Sequence, residues 1–130
     1  DALSAVGLLS RMYLGWENNH EPLVRGVEQL ADRGPSRDNF YFNYYAAQVL
    51  FQFTSGEGAM WRDWNTELRD QLISQQDTRG HARGSWFVEG PHAEAGGRLY
   101  QTSLATMTLE VYYRYLPIYK LGTESVEFPQ

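Results

Sequence analysis

Three stretches of this chain carry the same spacing, Ala-x-x-x-Leu, inside apolar sequence that reads as helix: Ala5/Leu9, Ala46/Leu50 and Ala105/Leu109. A gap of four stacks the two side chains on one helix face, a turn apart. A small residue there lets a neighbouring helix approach closely, because interaxial distance follows the side chains at the contact. The first two stretches lie about 40 residues apart and the next two about 60, a period found in stacked helix hairpins. Amphipathic segments around Leu23–Leu30 and Trp64–Leu72 lie between them. This alternation predicts an inner layer of apolar helices covered by half-polar ones. The hairpins are expected over approximately 1–34, 38–76 and 77–120, with a frayed tail over 121–130.

The periodicity predicts five helices. Asp1 to Tyr13 carries a stripe of Leu3, Val6 and Leu9, with Leu8 and Met12 more loosely placed. Gly7 costs about 1 kcal/mol against Ala in a helix, which implies close approach of a neighbour. Gly15 stops this helix. Asn18 and Asn19 precede a second, with Pro22 in its first turn and Leu23, Val27, Leu30 and Ala31 on its apolar face. Gly34-Pro35 ends it. Asp38 is the expected N-cap of the third helix. From Phe40 to Phe53 that helix is apolar almost all round, as in elements buried on most sides. Its aromatics also suit a strand, but its length and the Ala46-Ala47 pair favour helix. After Gly56 and Gly58, a fourth helix runs from about Ala59 to Gln75, with Trp61, Trp64, Leu68, Leu72 and Ile73 on one side. Arg62, Asp63, Glu67, Arg69 and Asp70 form its solvated face. The fifth spans Tyr100 to Tyr115 with Leu104, Met107, Leu109, Val111 and Tyr112, and Leu116-Pro117 closes it.

Composition narrows the function classes. Aromatics make up 15% of the 130 residues, enough for a packed core. The formal net charge is -5, and Lys120 is the one lysine beside ten arginines, so no basic run marks a nucleic-acid footprint. The chain has no cysteine, which excludes disulfides and thiolate metal sites and leaves the redox compartment unreadable. No apolar run approaches the ~20 residues of a membrane span, and no charged-then-apolar leader is present. Helical pattern is already running at Asp1. The chain therefore reads as a single soluble domain, or part of one, cut from a longer protein of unknown localisation.

Candidate chemistry concentrates between Asp77 and Leu99, a glycine-rich loop of a length that is usually functional or mobile. Trp86 either lines a ligand cavity or packs between helices with one partner for its indole N–H. His81, His92 and Glu94 share the loop with Arg98 and offer acid–base or metal-binding groups. No His has the i, i+4 partner of a helical zinc site, so no metal is expected. Gly96-Gly97-Arg98 ahead of a helix could hold an anion. Tyr41, Tyr44, Tyr45, Phe51, Tyr112, Tyr113 and Tyr115 are the aromatic stock, either core or the wall of a concave site for isoprenoids, sugars or cations. Ser85, Thr102 and Ser103 lack the surroundings of a nucleophile elbow. The candidate ligand-binding residues are Trp86, His92, Glu94, Arg98, Tyr100 and Tyr44. No catalytic residue and no cofactor is assigned.

Gln76, Gly84-Ser85-Trp86, Gly96-Gly97, Tyr100, Thr102, Leu104-Ala105 and Leu109 together resemble the prenyltransferase and squalene-oxidase repeat of the α/α toroid superfamily. That superfamily includes terpenoid cyclases, protein prenyltransferase β subunits and complement thioester domains. Tyr44, Tyr45, Ala46 and Leu50 resemble the inner-helix start of another such repeat. The whole chain, with YFNYYAAQ, RDQLISQQ, GSW and GGRLYQTSLATMTLEVYYRYLP, is also similar to a group of uncharacterised planctomycete repeat proteins. The resemblance implies an all-α fold, an α/α toroid, here a partial one. It implies little about activity, because sites are grafted onto folds. The chain departs from the family at every catalytic set. Asp77 to Arg83 lengthen the Gln-to-Gly spacing. The Asp-x-Asp-Asp protonation motif and the Asp-Asp-x-x-Asp magnesium motif are absent. The zinc and thioester sets both need a cysteine. The expectation is thus a non-catalytic scaffold or binding domain of a larger bacterial protein, with protein partners or an apolar small molecule as ligand and self-association through an open repeat edge. The alternative is an isoprenoid enzyme whose catalytic residues lie largely outside this chain. A carbohydrate-active toroid would need a carboxylate pair across an aromatic cleft, and none can be placed.

Overall fold

The computed structural model describes residues 2–90 and 92–114, except the side chains of 112–114. The five helices are α1 (Ala2–Tyr13), α2 (Glu21–Arg33), α3 (Phe40–Thr54), α4 (Gly58–Gln75) and α5 (Ala93–Arg114), with a short 3-10 turn at Gly80–Ala82. No strand occurs among the described residues, so the all-α class holds. The expected helix stop at Leu116-Pro117, the tail, the start at Asp1 and the side chains of Tyr112, Tyr113 and Tyr115 lie outside the described residues.

The core is built round α3, which touches each of the other helices. Its most extensive contacts are with α1 and α5, so α1, α3 and α5 follow one another in contact. α2 packs against α1 and α3, and α4 against α3. α3 buries eight residues around its circumference, including Phe40, Phe42, Ala46, Ala47, Val49 and Leu50. That is why it has no polar face. Ala5, Ala46 and Ala105 are all fully buried, and Leu9 and Leu50 nearly so, while Leu109 is half-buried. The repeated spacing therefore sits where α1, α3 and α5 meet. The partner helices bury one stripe each: Leu23, Val27 and Leu30 on α2, and Trp61, Trp64, Leu68 and Leu72 on α4. Each such side chain contributes about 1.5–3 kcal/mol of burial.

Several local expectations are corrected. Of the expected α1 stripe, Leu9 is buried and Val6 half-buried, but Leu3 is 79% exposed, and Ala5 is buried in its place. Its loose periodicity allowed two stripes, and α3 selects the one carrying the small residue. Gly7 faces only the Arg11 side chain of its own helix. The close approach is at Gly26 on α2, where a β-carbon would lie 2.7 Å from Leu8. α3 begins one residue later than Asp38 would require. Asn39 is its N-cap, with Oδ1 accepting the Phe42 N–H at 2.9 Å, and Asp38 instead accepts from Ser36 Oγ. The residue before α2 is His20, without a side-chain cap, because Asn18 turns away and donates to the Phe53 carbonyl at 3.0 Å. Ile73 is 61% exposed, one position off the α4 stripe that ends at Leu72. Helical turns also resume earlier than Tyr100. Ala93 starts a first turn, Gly97 (φ 62°, ψ -166°) interrupts it, and the regular part of α5 follows.

Candidate functional site

The loop between α4 and α5 is folded against both helices. Gln76 Nε2 donates to the Gly84 carbonyl at 3.1 Å. Beside it, Asp77 N–H donates to Ser85 O and Gly84 N–H returns to Asp77 O, at 2.9 and 2.7 Å. These bonds bring Gly84-Ser85 back to the end of α4 and aim Trp86 inward. Trp86 is 5% exposed, and its indole N–H donates to the Leu72 carbonyl at 2.7 Å. Leu72 lies in the last turn of α4, where carbonyls lack helical partners. The indole satisfies one of these orphans while its rings fill the core.

Two α5 side chains fasten the segment after Ser85. Thr102 Oγ1 accepts the Trp86 N–H at 3.1 Å. Gln101, 2% exposed, bonds Val88 in both directions: its Oε1 accepts the Val88 N–H at 2.7 Å and its Nε2 donates to the Val88 carbonyl at 2.8 Å. The α2–α3 connection is held in the same way. Asn43, 1% exposed, accepts the Ser36 N–H at 2.8 Å and donates to the Ser36 carbonyl at 2.7 Å. Asn43 and Thr102 each stand about one turn ahead of the alanine in their Ala-x-x-x-Leu. In α3 and α5, though not in α1, where Ala2 holds that place, a polar side chain thus supplies a partner for the incoming backbone. Sequence reasoning missed Asn43 and Gln101. Their signal was a polar residue inside an otherwise apolar helical face.

The residues expected to bind a ligand divide into four groups. Arg98 forms an ion pair with Asp77, donates to Ser85 Oγ at 2.9 Å, and lies over the Phe87 ring at 5.4 Å. It thereby ties the start of α5 to the loop. In the sequence Ser85 is weighed only as a nucleophile and as part of the Gly84-Ser85-Trp86 motif, and Asp77 only as the start of the lengthened spacing. Trp86 is the packing residue already described. Tyr44 and Tyr100 join Tyr41 and Tyr45 in a half-buried cluster between α3 and α5. Ring centroids are 4.7 Å apart for Tyr41–Tyr45 and 5.1 Å for Tyr44–Tyr45. The Tyr41 hydroxyl, then burial, holds the Tyr45 phenol above its ordinary range, with Tyr44 and Tyr100 adding to the effect. Burial, then Tyr41, does the same to Tyr100. Gly96 makes room for this ring: a β-carbon there would lie 2.5 Å from Tyr100 Cδ1.

His92 and Glu94 lie on the cluster's outer side. The His92 backbone is left-handed (φ 72°), a conformation in which His is several-fold enriched among non-glycine residues. Its ring sits 6.4 Å from that of Tyr41. Together with Phe87, Glu89 and Glu94 it bounds an open cleft of about 600 Å³. His81, His92 and Glu94 are exposed, and their side chains make no hydrogen bond or ion pair among the described residues. No group of three His, Cys, Asp or Glu able to hold a metal ion occurs among the described residues. Against known proteins, no family model, curated protein or solved structure matches the chain.

Proposed function

We propose that this chain is a non-catalytic scaffold or binding domain of a larger bacterial protein, built from helix hairpins of the prenyltransferase/terpenoid-cyclase toroid type. One observation supports this above the others. The inward-facing groups where the loop meets α5 bind the chain itself: Arg98 to Asp77 and Ser85, Trp86 to Leu72, Thr102 to Trp86 and Gln101 to Val88. A catalytic loop would instead direct such groups at a substrate position. The exposed Leu3, Tyr13 and Leu14 of the α1 edge support a surface for protein partners or self-association. The second reading is an isoprenoid enzyme with catalytic residues elsewhere. It draws on the Tyr41, Tyr44, Tyr45 and Tyr100 cluster, since aromatic walls suit isoprenoid chains.

Thermal denaturation with a ligand panel separates the two. The scaffold reading expects no saturable shift from farnesyl diphosphate, geranylgeraniol or an oligosaccharide. Stabilisation by the diphosphate that grows as RT ln(1 + [L]/Kd) would replace it with the enzyme reading.

A further inference from the structure

We propose that the open cleft over Phe87, Glu89, His92 and Glu94 binds a small alkylammonium cation, a positive nitrogen dressed in methyl or methylene groups. This rests on the reading of the chain as a binding domain and names a ligand class for it.

Size, charge and surface chemistry all support this. At about 600 Å³ the cleft falls within the range of small-ligand sites. The acidic side chains on its wall, Glu89 and Glu94, are both exposed and make no ion pair among the described residues. The guanidinium that reaches Phe87 belongs to Arg98 and is already paired with Asp77, so it does not offset them. The remaining wall is apolar or aromatic: Phe87, Ala93, Ala95 and the His92 imidazole. The two carboxylates attract a cation by Coulomb attraction, and the apolar and aromatic wall suits its methyl or methylene groups.

Arg98 shows the combination at work within the chain: a cation lies on an aromatic ring with a carboxylate against it. Competing ligands fit less well. A diphosphate would meet two like charges. A hard ion such as Mg²⁺ would use the two carboxylates and leave the apolar wall unused, and no group of three His, Cys, Asp or Glu able to hold a metal ion occurs among the described residues. A weakly hydrated organic cation uses both the carboxylates and the apolar surface.

The test is a choline chloride titration of the ¹⁵N-labelled chain followed by NMR, with NaCl matched for ionic strength. Saturable shifts of the His92, Ala93 and Ala95 amides are expected. The double variant Glu89→Gln/Glu94→Gln should weaken choline binding roughly tenfold, about threefold for each exposed carboxylate, with the remaining spectrum unchanged. Inorganic pyrophosphate should leave the three amides in place. The proposal is overturned if choline does no more than NaCl, if the double variant binds choline equally well, or if pyrophosphate moves the same amides. Failure here removes the cleft as a cation site. Failure of the scaffold reading appears separately, as stabilisation by farnesyl diphosphate.

Discussion

Trp86 keeps only 5% of its surface exposed and has given its one polar hydrogen to the Leu72 carbonyl. Two losses would therefore follow Trp86→Ala: a large cavity in the core where the loop meets α4 and α5, and an orphaned carbonyl at the α4 terminus. Together these predict destabilisation by about 3–5 kcal/mol in chemical denaturation. A loss below ~1 kcal/mol would contradict the packing role. The tyrosines make a prediction of a different kind. Tyr45 and Tyr100 hold their protons above the ordinary phenol range in the folded state. Below pH ~10 both folded and unfolded phenols are neutral, and the stability linked to them is fully present. As pH rises past that value the unfolded chain releases these protons first, so stability falls as pH climbs towards the folded values. Absorbance titration near 295 nm should show late-ionising tyrosines. Tyr41→Phe should bring Tyr45 back towards its ordinary value, because the Tyr41 hydroxyl is the largest cause of its shift. An unchanged titration in that variant would remove the proposed coupling.

At the level of elements, the clearest sequence signals were those that a single helix enforces by itself. α3 had to be buried all round because Phe40 to Phe53 offers no polar face. α2 and α4 declared their stripes through Leu23, Val27 and Leu30, and through Trp61, Trp64, Leu68 and Leu72. What the sequence hid depends on a partner through space. Asn43 and Gln101 read as blemishes in apolar faces until Ser36 and Val88 arrive beside them. Asp38 and Asn39 are equally good caps, and only the position of the first helical residue decides between them. Gly96-Gly97 read as a possible anion cradle, yet its glycines do two separate jobs. Gly96 accommodates the Tyr100 ring, and Gly97 takes a backbone conformation that essentially only glycine adopts. Gly97→Ala should therefore cost about 1–3 kcal/mol by denaturation, although no atom outside its neighbours comes within 4 Å of its β-position. A neutral substitution would show that the interruption at the start of α5 carries no strain.

In the molecule as a whole, α3 stands between α1 and α5, and the two connections entering α3 and α5 are pinned by buried side chains of those same helices. A Cβ on Gly90 would lie 2.7 Å from that of Asp38, so the two connections also touch each other. The glycine-rich loop is thus a fastening between hairpins, and Trp86 and Arg98 belong to that fastening. Its exposed outer rim, with Glu89, His92 and Glu94, is the part left to face a ligand. Native-state hydrogen exchange of the Trp86 and Val88 amides tests this most directly. Both lie outside helices, yet Thr102 Oγ1 and Gln101 Oε1 accept them. The account predicts that both exchange only through large-scale opening, with free energies close to that of global unfolding. Exchange at the fast rate of a mobile loop, with the helices still protected, would contradict it and return the loop to the class of moving functional segments.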